Sequence, residues 1–181
     1  MNAEIFDQFT LYPESSLLTF ALPDEHVRFL AHVGLPTWCA PNMHFGEVGE
    51  KWVLLPAIEA GSKRCLALGE DRNEAPIGID LVDHSVWVLP HQTEPLFMAR
   101  NVLELAKVLS RFQASIDAAV DHDSSAYVER RVRASYLHSF ISWANEESPS
   151  LLRAGSYWHG VLLWLGVPHD SLQATGLSDR T

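Results

Sequence analysis

The chain has 181 residues, 47% of them apolar and 20% charged, with a net charge of −10. That composition excludes an intrinsically disordered chain and needs no disulfide framework or metal to sustain a core. Acidity is concentrated early: Met1 to Glu94 holds 14 acidic and 5 basic residues, whereas Pro95 to Thr181 holds 9 and 8. A surface of that sign repels nucleic acid and anionic lipid and suits a basic protein partner.

Met1 to Tyr12 carries Glu4 and Asp7 and lacks the basic and apolar regions of a signal peptide. No apolar run approaches the ~18 residues of a membrane span, so a cytoplasmic location is expected. Leu22 to Pro36 reads as a short helix with acidic residues in its first turn and Val27, Leu30 and Ala31 on one face. Gly34 is placed to end it in the left-handed conformation, and Pro36 prevents it from resuming.

Lys51 to Ile58, Arg64 to Gly69, Ile77 to Leu81 and Ser85 to Leu89 are short runs of Val, Ile, Leu and Trp bounded by turn formers. They predict an antiparallel sheet. Alternation of Val86 and Val88 with Trp87 puts one face in the core and leaves Trp87 partly exposed, and Val82-Asp-His-Ser85 makes the tight connection before it. Asn101 to Val120 predicts a long helix, with Asn101 and Glu104 resembling a capping box. A second helix is predicted from about Ala126 to Trp143, with Ser124 or Ser125 as its cap and Val128, Val132, Tyr136, Phe140 and Trp143 as its stripe. Ser156 to Leu165 closes the chain before Gly166 and Pro168, and the last dozen residues read as frayed. Helices on either side of a run of strands give an α+β fold: a central antiparallel sheet packed by helices, with a helical C-terminal extension. The expected layout is a single domain over 1–181, with a core over about 20–120 and the extension over about 124–168.

The sequence lacks a phosphate loop, a dinucleotide fingerprint, an H-E-x-x-H pair and a G-x-S-x-G elbow. Cys39 and Cys65 lie outside any C-x-x-C arrangement and read as buried free thiols. His84, His91 and Glu94 supply enough ligands for a catalytic metal, although their spacing matches no helical or turn-based pair. Asp121-His122-Asp123 reads as a solvated loop, His26, His32, His138 and His159 as surface or half-buried helix positions, and Ser62 as part of a turn. Of the six tryptophans most are expected in the core. Trp87, close in sequence to Asp80, Asp83 and Glu94, is the candidate anchor for a partner.

Phe29-Leu-Ala-His-Val-Gly34-Leu35-Pro36, then Leu66-Ala-Leu-Gly69, then Ile77-Gly-Ile-Asp80-Leu with Val86-Trp-Val, and Asn101-Val-Leu-Glu-Leu together resemble the SUKH superfamily in content and order. Its members include a fungal cell-wall synthesis regulator and many bacterial immunity proteins. These motifs span about Pro23 to Val120, and Gly155-Ser-Tyr-Trp158 before a short closing helix is similar to the group's fourth immunity family. The turn Val82-Asp-His-Ser85 lacks the glycine that the family often has there, and Asp83 or His84, which tolerate positive φ, could serve instead. The resemblance implies a non-enzymatic, cofactor-free protein that neutralises a toxin, often a nuclease or nucleic-acid deaminase, by occlusion. The partner-binding residues expected on this reading are Glu70, Asp71, Asp80, Asp83, Trp87 and Glu94. The alternatives are a scaffold or regulator of the same fold without a toxin partner, and a small metal-dependent enzyme using His84, His91 and Glu94.

Overall fold

Strand pairing dominates the N-terminal half. The computed structural model describes residues 6, 8–46, 56–61, 63–130 and 132–172, and its contacts cluster into two units, Met1–Ser110 and Arg111–Thr181. The part of the first expected strand over 51–55, Trp52 included, lies outside the described residues, as do Ser62 and most of the last dozen residues.

In the first unit, β1 (Phe9–Thr10) pairs with β2 (Leu35–Pro36) around two short helices, α1 (Glu14–Leu17) and α2 (Asp24–His32). Asp24 and Glu25 occupy the first turn of α2, which buries Val27 and Leu30. Gly34 ends this segment at φ +78°, where a Cβ would lie 2.2 Å from the Thr10 carbonyl oxygen. Both the left-handed backbone and the close approach of β1 therefore demand glycine.

The larger sheet has seven strands among the described residues: β3 (Trp38–Cys39), β4 (Met43–Phe45), β5 (Ala57–Ala60), β6 (Lys63–Glu70), β7 (Pro76–Asp80), β8 (Val86–Val88) and β9 (Leu96–Ala99). All its pairings are antiparallel. β6 is the organising strand. Along one edge it pairs with β7, while its other edge is shared, Lys63–Leu66 pairing with β5 and Gly69–Glu70 with β4. Where the two partners meet, the Leu68 carbonyl accepts from Gly46 N–H at 2.8 Å and from the buried Tyr12 hydroxyl at 2.7 Å. Register slips between Ala67 and Gly69, so Leu68 is the extra residue of a bulge.

Leu66, Ile79 and Val86 align across the sheet, as do Ile77 and Val88, and all five are fully buried. The sheet is thus apolar on the face that these residues share. Strands β1 to β4 and β9 are absent from the sequence reading. The first four are two or three residues long, too short for alternation to register. Leu96–Ala99 is uniformly apolar, and its pairing with β8, not its period, makes it a strand.

Helix α3 (Val102–His122) confirms the long periodic segment. Asn101 Oδ1 accepts from Glu104 N–H at 2.8 Å, and the Glu104 carboxylate reaches back to the Arg100 N–H at 2.6 Å. In the second unit, α4 (Ala134–Glu147), a 3-10 turn (Pro149–Leu152) and α5 (Tyr157–Trp164) follow. The helix expected from Ala126 begins eight residues late. Asp123 accepts from Ser125 N–H and Oγ, residues 124–130 form successive turns, and Arg130 takes φ +57°. Local side-chain bonding competes with the helix there, leaving Val128 80% exposed. Val132 and Phe140 of the expected stripe are buried. Trp158 is the fully buried centre of this unit, with ring centroids of Phe112, Tyr157 and Phe140 at 5.1, 5.4 and 5.8 Å. Among the described tryptophans it alone is fully buried: Trp38 is 48% exposed, and Trp87, Trp143 and Trp164 are half-buried.

Candidate functional site

The β7–β8 hairpin concentrates charge and aromatic surface at one place. Asp80 N–H donates to the Ser85 carbonyl and His84 N–H to the Asp80 carbonyl, closing a four-residue loop. His84 supplies a left-handed residue at φ +62°, one of the two residues expected to stand in for the glycine that the resembled family often has in this turn. Its Nε2 lies 3.1 Å from the Ala21 carbonyl oxygen, which ties the hairpin to the residues before α2.

Around this loop the polar side chains of Asp80, Asp83, Ser85 and Trp87 have defined partners. Asp80, 4% exposed, accepts from Lys63 Nζ at 2.6 Å through one oxygen and from Val82 N–H at 2.8 Å through the other. The Lys63 ammonium lies 4.0 Å from the Trp87 ring centroid, close enough for a cation–π contact. Trp87 Nε1–H donates to Ser85 Oγ at 2.5 Å, and Ser85 Oγ and N–H donate to the exposed Asp83 carboxylate. Partial burial pushes the Asp83 carboxyl up, but the hydrogen bonds from Ser85, with Lys63 and His84 nearby, outweigh it and hold the group below the usual carboxylate range. Phe97 completes the cluster, edge-on to Trp87 at 5.4 Å. The result is an ionised carboxylate and a half-buried indole locked in one geometry by a chain of donors.

The other expected contact residues fall into different settings. Asp71, 5% exposed, accepts from Asn73 N–H at 2.8 Å and Ala75 N–H at 3.0 Å, so its carboxylate shapes the β6–β7 turn. Glu70 is half-buried at the end of β6. Glu94 is exposed and shares with His91 a pocket of about 320 Å³ that Ile58, Glu59, Ala60 and Gly61 of the β5–β6 hairpin also line. That hairpin also carries Lys63, so one element serves both pocket and cluster. His84 stands apart on the other hairpin, and among the described residues no group of three His, Cys, Asp or Glu side chains is placed to hold a metal.

Lys63, Ser85 and Phe97 are the members that sequence reasoning missed. Lys63 reads as one cation of a turn because its partner Asp80 is 17 residues away. Ser85 falls on a strand start and Phe97 in an unassigned run; only the Trp87–Phe97 register unites them.

Ser85 Oγ faces a carboxylate and an indole, not an imidazole base. Both cysteines are free and buried: burial pushes the Cys39 thiol up, and burial with Asp80 nearby pushes Cys65 up to about 11. His26 and His159, expected at or near the surface, are 3% and 8% exposed. His26, on α2, has the ring of His84 from the β7–β8 hairpin edge-on at 5.9 Å. No described helix is long and apolar enough to cross a membrane.

Fold and site together define an α+β protein with an acidic, tryptophan-centred hairpin on an antiparallel sheet. No family model, curated protein or solved structure matches the chain.

Proposed function

We propose that the protein is an immunity protein that binds a cognate bacterial toxin, a basic nuclease or nucleic-acid deaminase, and neutralises it by occlusion. The observation that carries this reading is the preorganised Asp83–Ser85–Trp87–Lys63 cluster. A rigid aromatic beside a fixed negative charge has the composition of an interface anchor, and its geometry costs little further ordering on binding. Val82, 84% exposed beside Asp83, adds an apolar contact at the hairpin tip. Asp83, Trp87, Glu94 and Glu70 are the contact residues in this reading, with Asp71 and Asp80 shaping the turns that present them. The ordered motifs resembling the SUKH superfamily supply the toxin as partner, and acidity in the first half of the chain supplies fast steering towards a basic one.

The test is affinity purification from the cells of origin, washed at low and then high salt, with wild type and Asp83→Lys and Trp87→Ala variants as bait. A basic toxin domain held by wild type, released by salt and lost from both variants supports the proposal. Recovery by all three baits of the same salt-resistant cell-wall or regulatory proteins overturns it in favour of a scaffold.

A further inference from the structure

The second unit contains a cavity of about 390 Å³ of opposite character to the acidic hairpin. Arg153, His159, His169 and Asn145 line it together with the apolar residues Leu152 and Leu172, and among the described residues no carboxylate does. In a chain of net charge −10, a concave site bearing one fixed cation, two imidazoles and an amide is a local inversion of sign.

Each group has a structural reason to be there. Ser156 caps α5, accepting from His159 N–H at 3.2 Å and donating through Oγ to the Leu151 carbonyl at 2.5 Å. That clamp joins the 3-10 turn to α5, the two segments that bring Arg153 and His159 to the cavity. His169 opens the short 3-10 turn after Pro168, with its ring edge-on to His159 at 5.3 Å. Glu146, Glu147 and Asp170, on the neighbouring elements, are exposed and outside the lining. Arg153 and His169 are therefore the charged groups that share the cavity with His159. Burial and the neighbouring His169 both lower the proton affinity of His159. The guanidinium has no ion-pair partner among the described residues.

We propose that this cavity binds a small phosphate monoester. Arg153 provides the planar fork that pairs two phosphate oxygens, and His159 and His169 donate to the anion once protonated. The apolar side chains leave room for a small organic substituent, and Asn145 is placed to hydrogen-bond it. Because two imidazoles 5.3 Å apart repel when both are charged, an anion held against the two rings from the cavity offsets that repulsion, and binding takes up protons. The proposal stands independently of the toxin reading, since none of its residues belongs to the hairpin cluster.

The experiment is a titration of the full chain with glycerol phosphate, followed by the histidine ring resonances in NMR and by calorimetry. Succinate serves as the carboxylate comparison. Sulfate, whose charge is constant over the range, isolates the pH dependence of the protein groups. Expected are shifts of the His159 and His169 resonances at millimolar glycerol phosphate, weaker binding of succinate, and sulfate affinity that falls about tenfold from pH 5.5 to 7.5. Arg153→Met, at an exposed position, should keep the wild-type circular dichroism and urea midpoint while losing about tenfold in affinity. His159→Gln should flatten the sulfate pH profile. Resonances that do not move, succinate binding as tightly as glycerol phosphate, or undiminished affinity in Arg153→Met would overturn the assignment.

Discussion

Replacing Asp80 by Asn removes a charge at the centre of the hairpin cluster while keeping side-chain shape. In the native protein the Asp80 carboxylate meets Lys63 Nζ at 2.6 Å, with the two side chains 6% and 17% exposed. At an effective dielectric near 20, an ion pair at this range attracts by roughly 6 kcal/mol. Desolvation of both groups offsets much of that. After Asp80→Asn the ammonium retains some water and the face of Trp87, a contact worth about 1 kcal/mol. The Val82 N–H keeps an amide oxygen to donate to. The net cost should therefore lie below the ~3–5 kcal/mol of a fully buried pair broken on one side, at about 2–3 kcal/mol. Lys63→Met leaves the Asp80 carboxylate buried without its cation and should cost a similar amount. Combined, the two changes remove both charges and should cost much less than their sum, giving a coupling of about 2 kcal/mol. Urea unfolding followed by far-ultraviolet circular dichroism measures this directly, with unchanged slopes showing that the denatured state is not the cause. Single variants within about 0.5 kcal/mol of wild type, or a double variant equal to their sum, would refute the claim that this pair organises the hairpin.

Three further outcomes are expected. Gly69→Ala places a Cβ 2.0 Å from the His44 carbonyl oxygen and 2.9 Å from Phe45 Cα; backbone must move, and a loss of about 2 kcal/mol or more with faster amide exchange in β4 is expected. His26 is 3% exposed with its Nδ1 unpartnered, and burial lowers its proton affinity, against Glu25 and together with His84. A histidine shifted downward on folding leaves stability intact above its unfolded pKa of about 6.5 and reduces it as pH falls below that value, so His26→Phe should flatten the decline between about pH 6.5 and 5 in urea midpoints. Cys39 and Cys65 should resist a thiol reagent at pH 8 until urea unfolds the chain, because burial raises both thiols, Cys65 to about 11; rapid labelling in the native state would contradict the burial described.

Local signals determined much of this protein. The helical period of Val102 to Ile116 and its Asn101 cap were sufficient for α3, since neighbours three and four apart and a cap three residues away are fixed by helix geometry alone. The glycine after α2, the strands over Arg64 to Leu89 and the closing helix before Gly166 were legible because their signals, turn formers bounding short apolar runs, are also local. In the β7–β8 turn, where the family resemblance led one to expect glycine, Asp83 and His84 were the residues that tolerate a left-handed conformation, and His84 adopts it. Where a local rule faced a local rival, the reading failed: Asp123 bonded to Ser125 and so delayed α4.

Only the tertiary structure decided which strand lay beside which, and with that the composition of the candidate site. Pairing along β6 brought Lys63 to Asp80 across 17 residues, and β9 brought Phe97 to Trp87 across 10. Carboxylates indistinguishable in sequence were thereby separated: Asp71 and Asp80 were buried to hold turns, while Asp83 and Glu94 stayed exposed. Likewise His26 and His159 went inside, the one beside His84 and the other beside His169. The physical reason is common to all these cases. Periodicity reports which side of an element is apolar, but charge pairing and desolvation depend on what another element places opposite, and that is set by register and packing over long separations.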